Sequence, residues 1–279
     1  MLKIAVTGST GLIGSRIIEL LSPEFEFIPI LQEKLDITQK DAVRTAIKNL
    51  DFDILFHLAG YTNVDQAEED KTIAYEVNVE GTRNLFESVM KKRKKFIFVS
   101  TDFVFDGVNP PFFEDSTPNP ISYYGTTKYE GEKIVNGKGM VVRFSYPYRA
   151  SFEPKKDFVR NIKSLLEKGQ KITMVQDSLI TPTFVDDIAY AMKHLFNNFS
   201  PEIFHINGMD SISPYAAGKT IAKIFGMNDT LIQPVSYQKY FKNRAKRPQY
   251  SEIKMRKNNF FKMKKFSEGL RSMLKNITI

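Results

Sequence analysis

The chain has 279 residues, of which 42% are hydrophobic and 26% charged, with a formal net charge of +8 and no cysteine. That length supports one large domain or two closely joined lobes, and the lack of cysteine excludes disulfides, thiolate metal sites and cysteine nucleophiles. A positive balance suits an anionic nucleotide ligand, a nucleic acid or a membrane surface alike.

The basic residues concentrate between Lys239 and Lys265, interleaved with Tyr237, Tyr240, Phe241, Tyr250, Phe260 and Phe261. No nucleic-acid-binding module accompanies them, so they read as a solvated face and no nucleic-acid partner is expected. His57, His194 and His205 are widely spaced and read as core or surface residues, so no metal site is expected. No apolar run approaches the ~20 residues that cross a bilayer, which predicts a cytoplasmic chain without a membrane partner.

In chain order, Leu2–Val6 is a short apolar, β-branched run. It leads into Thr7-Gly8-Ser9-Thr10-Gly11-Leu12-Ile13-Gly14 and then a helical pattern from Ser15 to Leu21. Strand, glycine loop and helix in that order let the backbone approach a pyrophosphate at a helix N-terminus; a tight turn without a ligand is the plain alternative. Phe25–Ile30 reads as a second strand, placed at an edge by Pro29. Lys40–Asn49 reads as a helix, Asp53–Ala59 as a strand opening into Gly60, and Ile73–Lys91 as one helix.

Lys95–Asp102 is a strand ending in the hydroxyls of Ser100 and Thr101. In an open parallel sheet that end lies on the ligand-binding rim. A proline- and aromatic-rich loop follows, and then Tyr124-Gly125-Thr126-Thr127-Lys128. On a helix, positions i and i+4 share a face, so a phenol and an ammonium would point into one space. A nearby cation favours the phenolate, and such a pair exchanges protons with a carbonyl or alcohol near neutral pH. An exposed helix turn is the plain alternative for that spacing alone.

Gly139–Phe144 is the next strand, Asp157–Lys168 a helix and Lys171–Val175 a short strand. Phe184–Ala189 begins a helix with Asp at its start, and Glu202–Asn207 is a strand returning to the main sheet. The remainder reads as largely helical and basic. The alternation predicts an α/β fold, a Rossmann-like doubly wound parallel sheet with a smaller, mostly helical C-terminal lobe. The dinucleotide-binding domain is expected over 1–150, with the chain returning to it near 184–208, and a substrate-binding lobe over 151–279.

These segments resemble the extended short-chain dehydrogenase/reductase superfamily, and within it the dTDP-4-dehydrorhamnose reductases. The resemblance is carried by Thr7-Gly8-x-x-Gly11-x-x-Gly14, by Leu58-Ala59-Gly60-Tyr61-Thr62-Asn63-Val64-Asp65-Gln66-Ala67-Glu68 and by Val77-Asn78-Val79-Glu80-Gly81-Thr82. It continues through Ser100-Thr101-Asp102-Phe103-Val104-Phe105-Asp106-Gly107, the Tyr124–Glu132 segment, Thr181-Pro182-Thr183 and Arg247-Pro248-Gln249-Tyr250-Ser251. It implies Tyr124 as proton donor to a keto oxygen, Lys128 as the group that lowers its pKa and holds the nicotinamide ribose, and Thr101 as a hydrogen-bond partner of the same oxygen.

By the same resemblance Gly8, Thr10, Gly11, Leu12, Ile13 and Gly14 would hold pyrophosphate. Asp36 and Ile37 would contact adenine, and Leu58, Ala59 and Gly60 would line the cofactor. Thr62, Val64, Asp102, Phe103 and Arg247 would face a nucleotide-sugar substrate; Asn78 serves equally as a structural helix residue. The chain has no tryptophan and reads Ser145-Tyr146-Pro147-Tyr148 where the reductases carry a Ser-Trp-Val-Tyr-like segment, so Tyr146 would stand in for the sugar-packing Trp.

The cofactor implied is NADPH or NADH. An acid at the end of the second strand would favour NADH; Leu31 and Gln32 stand there, which favours NADPH. A homodimer is expected by resemblance alone. Two other readings stay open at this level: an epimerase or other reductase of the same superfamily, and a non-catalytic regulatory subunit resembling that of methionine adenosyltransferase.

Overall fold

The computed structural model describes residues 1–277. Its first half runs β1 (Leu2–Thr7), α1 (Gly14–Leu21), β2 (Phe25–Ile30), α2 (Lys40–Asn49), β3 (Ile54–His57), α3 (Val64–Glu69), α4 (Lys71–Tyr75), α5 (Gly81–Lys91), β4 (Lys95–Thr101), α6 (Tyr123–Val135) and β5 (Met140–Phe144). The second half runs β6 (Pro147–Tyr148), α7 (Phe158–Glu167), β7 (Ile172–Val175), β8 (Thr183–Phe184), α8 (Val185–Asn197), β9 (Ile203–His205), α9 (Pro214–Ile224), β10 (Ile232–Val235), α10 (Tyr237–Phe241) and α11 (Phe266–Ile277).

The main sheet has the order β2-β1-β3-β4-β5-β9, with every pair parallel. Parallel sheets are covered on both faces, and the sequence supplies both linings by alternation. Ile4, Val6, Ile54, Phe56, Ile97, Met140 and Val142 pack with Ile17 and Leu21 of α1 and Ile188, Met192 and Leu195 of α8. The residues between them, Ala5, Leu55, Phe96, Phe98 and Val141, pack on the opposite side with Val43, Ile47, Leu85, Val89 and Val135. Pro29 lies in edge strand β2, where a missing N–H costs no ladder bond.

The chain runs outward from β1 to β2 and then reverses to β3, which makes the β1/β3 boundary the topological switch point. Ligand crevices form there, beyond the carboxyl ends of the strands. The two loops leaving β1 and β3 close on each other: Gly8 has φ +67°, and a Cβ on it would lie 2.8 Å from the Ala59 amide nitrogen. A third core lies among the elements after β5, with Tyr148, Val159, Ile162, Leu166, Phe184, Ile221, Phe266 and Leu270 buried in it.

Three local features differ from the sequence expectation. The single helix over Ile73–Lys91 is α4 and α5 joined by a π-helical turn at Glu76–Glu80; such turns gather at functional sites. Helix α8 has Phe184 at its N-cap without a side-chain cap, and Asp186 and Asp187 occupy its first turn, where they favour the positive end of the helix dipole. The C-terminal part is less helical than expected, since residues 242–265 form an irregular strap with isolated bridges of Tyr250 to Leu179 and Ile253 to Phe112. The strap is anchored by polar contacts at intervals: Lys254 O accepts from His205 Nδ1, Glu114 accepts the amides of Arg256 and Lys257, and Asp187 accepts the Lys264 amide.

Candidate active site

Helix α6 starts at the carboxyl end of β4. Ser122 caps it by accepting the Gly125 amide at 3.1 Å. Gly125 lets the first turn sit on the backbone beyond β4, because a Cβ there would lie 2.2 Å from the Phe103 carbonyl oxygen. This contact brings Thr101, Tyr124 and Lys128 to one end of the sheet, at 8, 9 and 6% exposure. Phe103 meets the Tyr124 ring edge-on at 5.7 Å between centroids, and Tyr146 at 6.4 Å. Val64, Tyr61, Tyr123 and Tyr146 pack on the same cluster. Tyr146 adopts φ +40°, a rare conformation for a residue with a β-carbon and one found at functional sites. Thr62 is exposed beside Val64.

The electrostatics differ from the expectation for Tyr124. Burial raises the phenol above its ordinary value; the hydrogen bond with Thr101 opposes the shift and the charge of Asp102 adds to it. The ammonium of Lys128 lies 4.1 Å from the centroid of Phe98 and 3.9 Å from the place a Cβ on Gly60 would take. The phenol is therefore held protonated, ready to give a proton. Burial also lowers Lys128 to about 7, opposed by the charge of Glu132.

Folding thus disfavours the charged form of Lys128, and between pH 7 and 10.5 the unfolded chain binds more protons at this residue than the folded one. Stability from Lys128 rises with pH across that window. Lys128→Met is expected to flatten the rise, read as the unfolding midpoint from pH 7 to 10.5.

The side chains at 124, 128 and 132 continue one helix face. Glu132 takes a bidentate ion pair from Arg143 (Nε–Oε1 2.8 Å, Nη2–Oε2 2.6 Å) with both groups buried. Arg143 Nη1 donates to His205 Nε2 at 3.2 Å, and His205 Nδ1 donates to Lys254 O at 2.9 Å, which fixes the imidazole tautomer. Burial lowers both His205 and His57 to about 3. His57 lies between Thr7 Oγ1 at 2.7 Å and Thr82 Oγ1 at 3.1 Å.

Asn78 sits in the π turn and is almost wholly buried. Its Oδ1 accepts the Tyr61 amide at 2.8 Å, and its Nδ2 donates to Tyr61 O and to Thr127 Oγ1 at 2.9 Å. It therefore clips the Leu58-Ala59-Gly60 loop to α6, a structural task. Glu132, Arg143 and this clip escaped the sequence reading, although Glu132 stands four residues beyond Lys128.

The glycine loop fits a dinucleotide pyrophosphate. No side chain caps α1; the Ser15 and Arg16 amides bond Gly11 O and Ile13 O at 3.1 Å, so an anion here would meet the positive dipole end and the loop amides that precede them. Ser9 Oγ in the loop is buried without a partner among the described residues. A Cβ on Gly14 would lie 2.4 Å from the Gly8 carbonyl oxygen. Gly14→Ala is expected to cost about 1–3 kcal/mol of strain and to weaken coenzyme binding, measured by unfolding and by fluorescence titration.

Three residues assigned to ligands have protein partners of their own. Asp36 accepts the Thr38 amide and hydroxyl at 2.9 and 2.8 Å and so closes its own turn, while Ile37 packs over Gly81. Arg247 is paired with Asp65, at 3.0 and 2.7 Å, and Asp65 also accepts the Ala245 amide. That pair ties the strap to α3. A cleft of about 340 Å³ opens beside it, lined by Asp106, Ile121, Tyr237, Arg247 and Tyr250 among others.

The sequence model of the RmlD substrate binding domain matches residues 2–279. The chain belongs to that family. The dTDP-4-dehydrorhamnose reductase of Sinorhizobium fredii is 31% identical over 80% of this chain and 78% of its own length. The spore coat polysaccharide biosynthesis protein SpsK of Bacillus subtilis is 28% identical over 92% of this chain and 90% of its own length. Among solved structures, the dTDP-4-dehydrorhamnose reductase of Bacillus anthracis in complex with NADP superposes with a TM-score of 0.91 and 30% identity, covering 99% of this chain and all of that one. As a member of the RmlD family the chain shares with these relatives a parallel sheet flanked by helices, here of six strands.

Proposed function

We propose that this chain is an NADPH-dependent reductase that converts the 4-keto group of dTDP-4-dehydrorhamnose to the alcohol of dTDP-rhamnose. One observation supports the reading: Thr101 at the end of β4 and Tyr124 and Lys128 at the start of α6 are all buried at the carboxyl end of the sheet, next to the switch-point crevice, in a chain whose relatives are named for that reaction.

NADPH supplies the hydride when bound; the protein orients and polarises. The glycine loop and the N-terminus of α1 hold the pyrophosphate, and Leu58, Ala59 and Gly60 line the crevice opposite them. Lys128, beside Gly60, holds the nicotinamide ribose. Val64, Phe103 and Tyr146 form an apolar wall for the sugar. Tyr124 gives its proton to the keto oxygen as that atom becomes an alcohol, and burial keeps the phenol in the protonated form the step needs. NADPH is preferred over NADH because Leu31 and Gln32, rather than an acid, follow β2.

The reading divides the chain into a dinucleotide-binding part over 1–150 and a substrate lobe over 151–279. It carries with it a cytoplasmic location and a homodimer, tested by fractionation and by sedimentation. Among the described residues no helix is long and apolar enough to cross a membrane. The deciding assay offers the purified protein a panel of 4-keto sugar nucleotides with NADPH and with NADH. Net coenzyme consumption, fastest with dTDP-4-dehydrorhamnose and NADPH, is expected; conversion without net consumption would mark an epimerase.

A further inference from the structure

Arg149 directly follows β6 and is 8% exposed. Its side chain reaches the turn that joins the glycine loop to α1. Nη1 donates to Leu12 O at 3.2 Å and to Ser15 Oγ at 2.9 Å, and Nη2 donates to Glu19 at 3.1 Å. Ser15 gives its own hydrogen to Gly11 O at 2.8 Å. One guanidinium thus fastens two carbonyls of the loop, Leu12 directly and Gly11 through Ser15.

The arginine is fixed from its own segment as well. Its amide donates to Asp157 at 3.2 Å, and Asp157 caps α7 by accepting the Arg160 amide at 3.0 Å. Its guanidinium lies 5.3 Å from the centroid of Phe152. A planar fork loses little freedom for each hydrogen bond it forms.

The bond to Leu12 has a consequence for the next amide. The peptide between Leu12 and Ile13 is trans, and in a planar trans peptide the C=O and N–H point to opposite sides. Holding Leu12 O towards Arg149 therefore turns the Ile13 N–H away from it. That amide has no protein acceptor among the described residues, and the buried Ser9 Oγ of the same loop has no partner there either. The loop is set between two fixed walls, Ala59 against Gly8 and Arg149 against Leu12.

We propose that Arg149 is a positioning residue for the coenzyme: it holds the peptide between Leu12 and Ile13 so that the Ile13 N–H is presented to the pyrophosphate. This rests on the reductase reading above. Arg149 takes no part in the proton or hydride step.

The test is a titration followed by NADPH fluorescence on the full chain, wild type beside Arg149→Met, with steady-state kinetics on both. Methionine keeps an apolar stem against Phe152. The variant is expected to raise the Kd for NADPH about tenfold or more, with kcat at saturating NADPH within about threefold and KM for dTDP-4-dehydrorhamnose within about twofold. Arg149→Lys keeps the charge without the fork and is expected to bind NADPH about fivefold or more below wild type. Glu19→Gln disturbs only exposed ion pairs and is expected to leave the Kd within about twofold.

If Arg149→Met does not fold, Arg149→Gln, which keeps an N–H donor for Leu12 O, is read in its place, and a Kd about threefold or more above wild type is expected. An unchanged Kd in the variant, full recovery in Arg149→Lys, or a loss of kcat as large as the loss of affinity would overturn the proposal. The titration needs no sugar. A wild-type protein that binds NADPH and reduces no keto sugar would count against the reductase reading alone, while one that binds no NADPH would remove the coenzyme site on which both rest.

Discussion

Tyr124→Phe is expected to lower kcat for ketone reduction by about a hundred- to ten-thousand-fold, the range that a positioned acid contributes. KM and coenzyme affinity should change little, since the ring and its contact with Phe103 remain. The unfolding midpoint should move little as well. Steady-state kinetics beside coenzyme titration separates the two quantities. Undiminished reduction by the variant would remove Tyr124 from the chemistry and leave a nucleotide-binding scaffold.

The second large effect concerns stability. Glu132→Ala leaves the Arg143 guanidinium buried without its carboxylate, at 1% side-chain exposure. Breaking a buried pair on one side costs about 3–5 kcal/mol, while replacing both members by apolar groups of similar volume is close to neutral. Thermal unfolding is expected to show a large drop for Glu132→Ala and recovery of most of it for Glu132→Leu with Arg143→Met. The same single change removes the one charge that holds Lys128 up. The ammonium should then lose its proton at still lower pH, moving the alkaline side of any Lys128-dependent activity downward.

Much of the sheet was legible because its signal is local. Each strand of the main sheet is a short apolar run, and Ile4, Val6 and Ala5 already carry the alternation that lines both faces. The Tyr124–Lys128 spacing and the glycine loop were legible for the same reason. The π turn at Glu76–Glu80 was not, since one extra residue in a turn leaves the apolar pattern nearly continuous. Nor was the irregular strap, because Ser251, Lys254 and Arg256 are held by distant partners, Asp102, His205 and Glu114, that no window of sequence contains.

The site shows the same division. Residue types and spacing indicated which groups could take part, and tertiary contacts decided what each is free to do. Arg247 has the chemistry to bind phosphate, yet Asp65 holds it. Lys128 has the charge to lower the phenol's pKa, yet burial raises that pKa all the same. Substrate binding that draws Arg247 away from Asp65 would have to replace a bidentate, partly exposed ion pair, a modest cost for a diphosphate to meet.

The most direct measurement is transfer of the label from NADPH carrying deuterium at the reactive nicotinamide carbon to dTDP-4-dehydrorhamnose, with the product weighed by mass spectrometry. A single deuterium bound to carbon 4 of the sugar, formed in step with coenzyme oxidation and abolished by Tyr124→Phe, is the predicted result. A product without deuterium, or coenzyme left unoxidised while the sugar changes, would contradict the account.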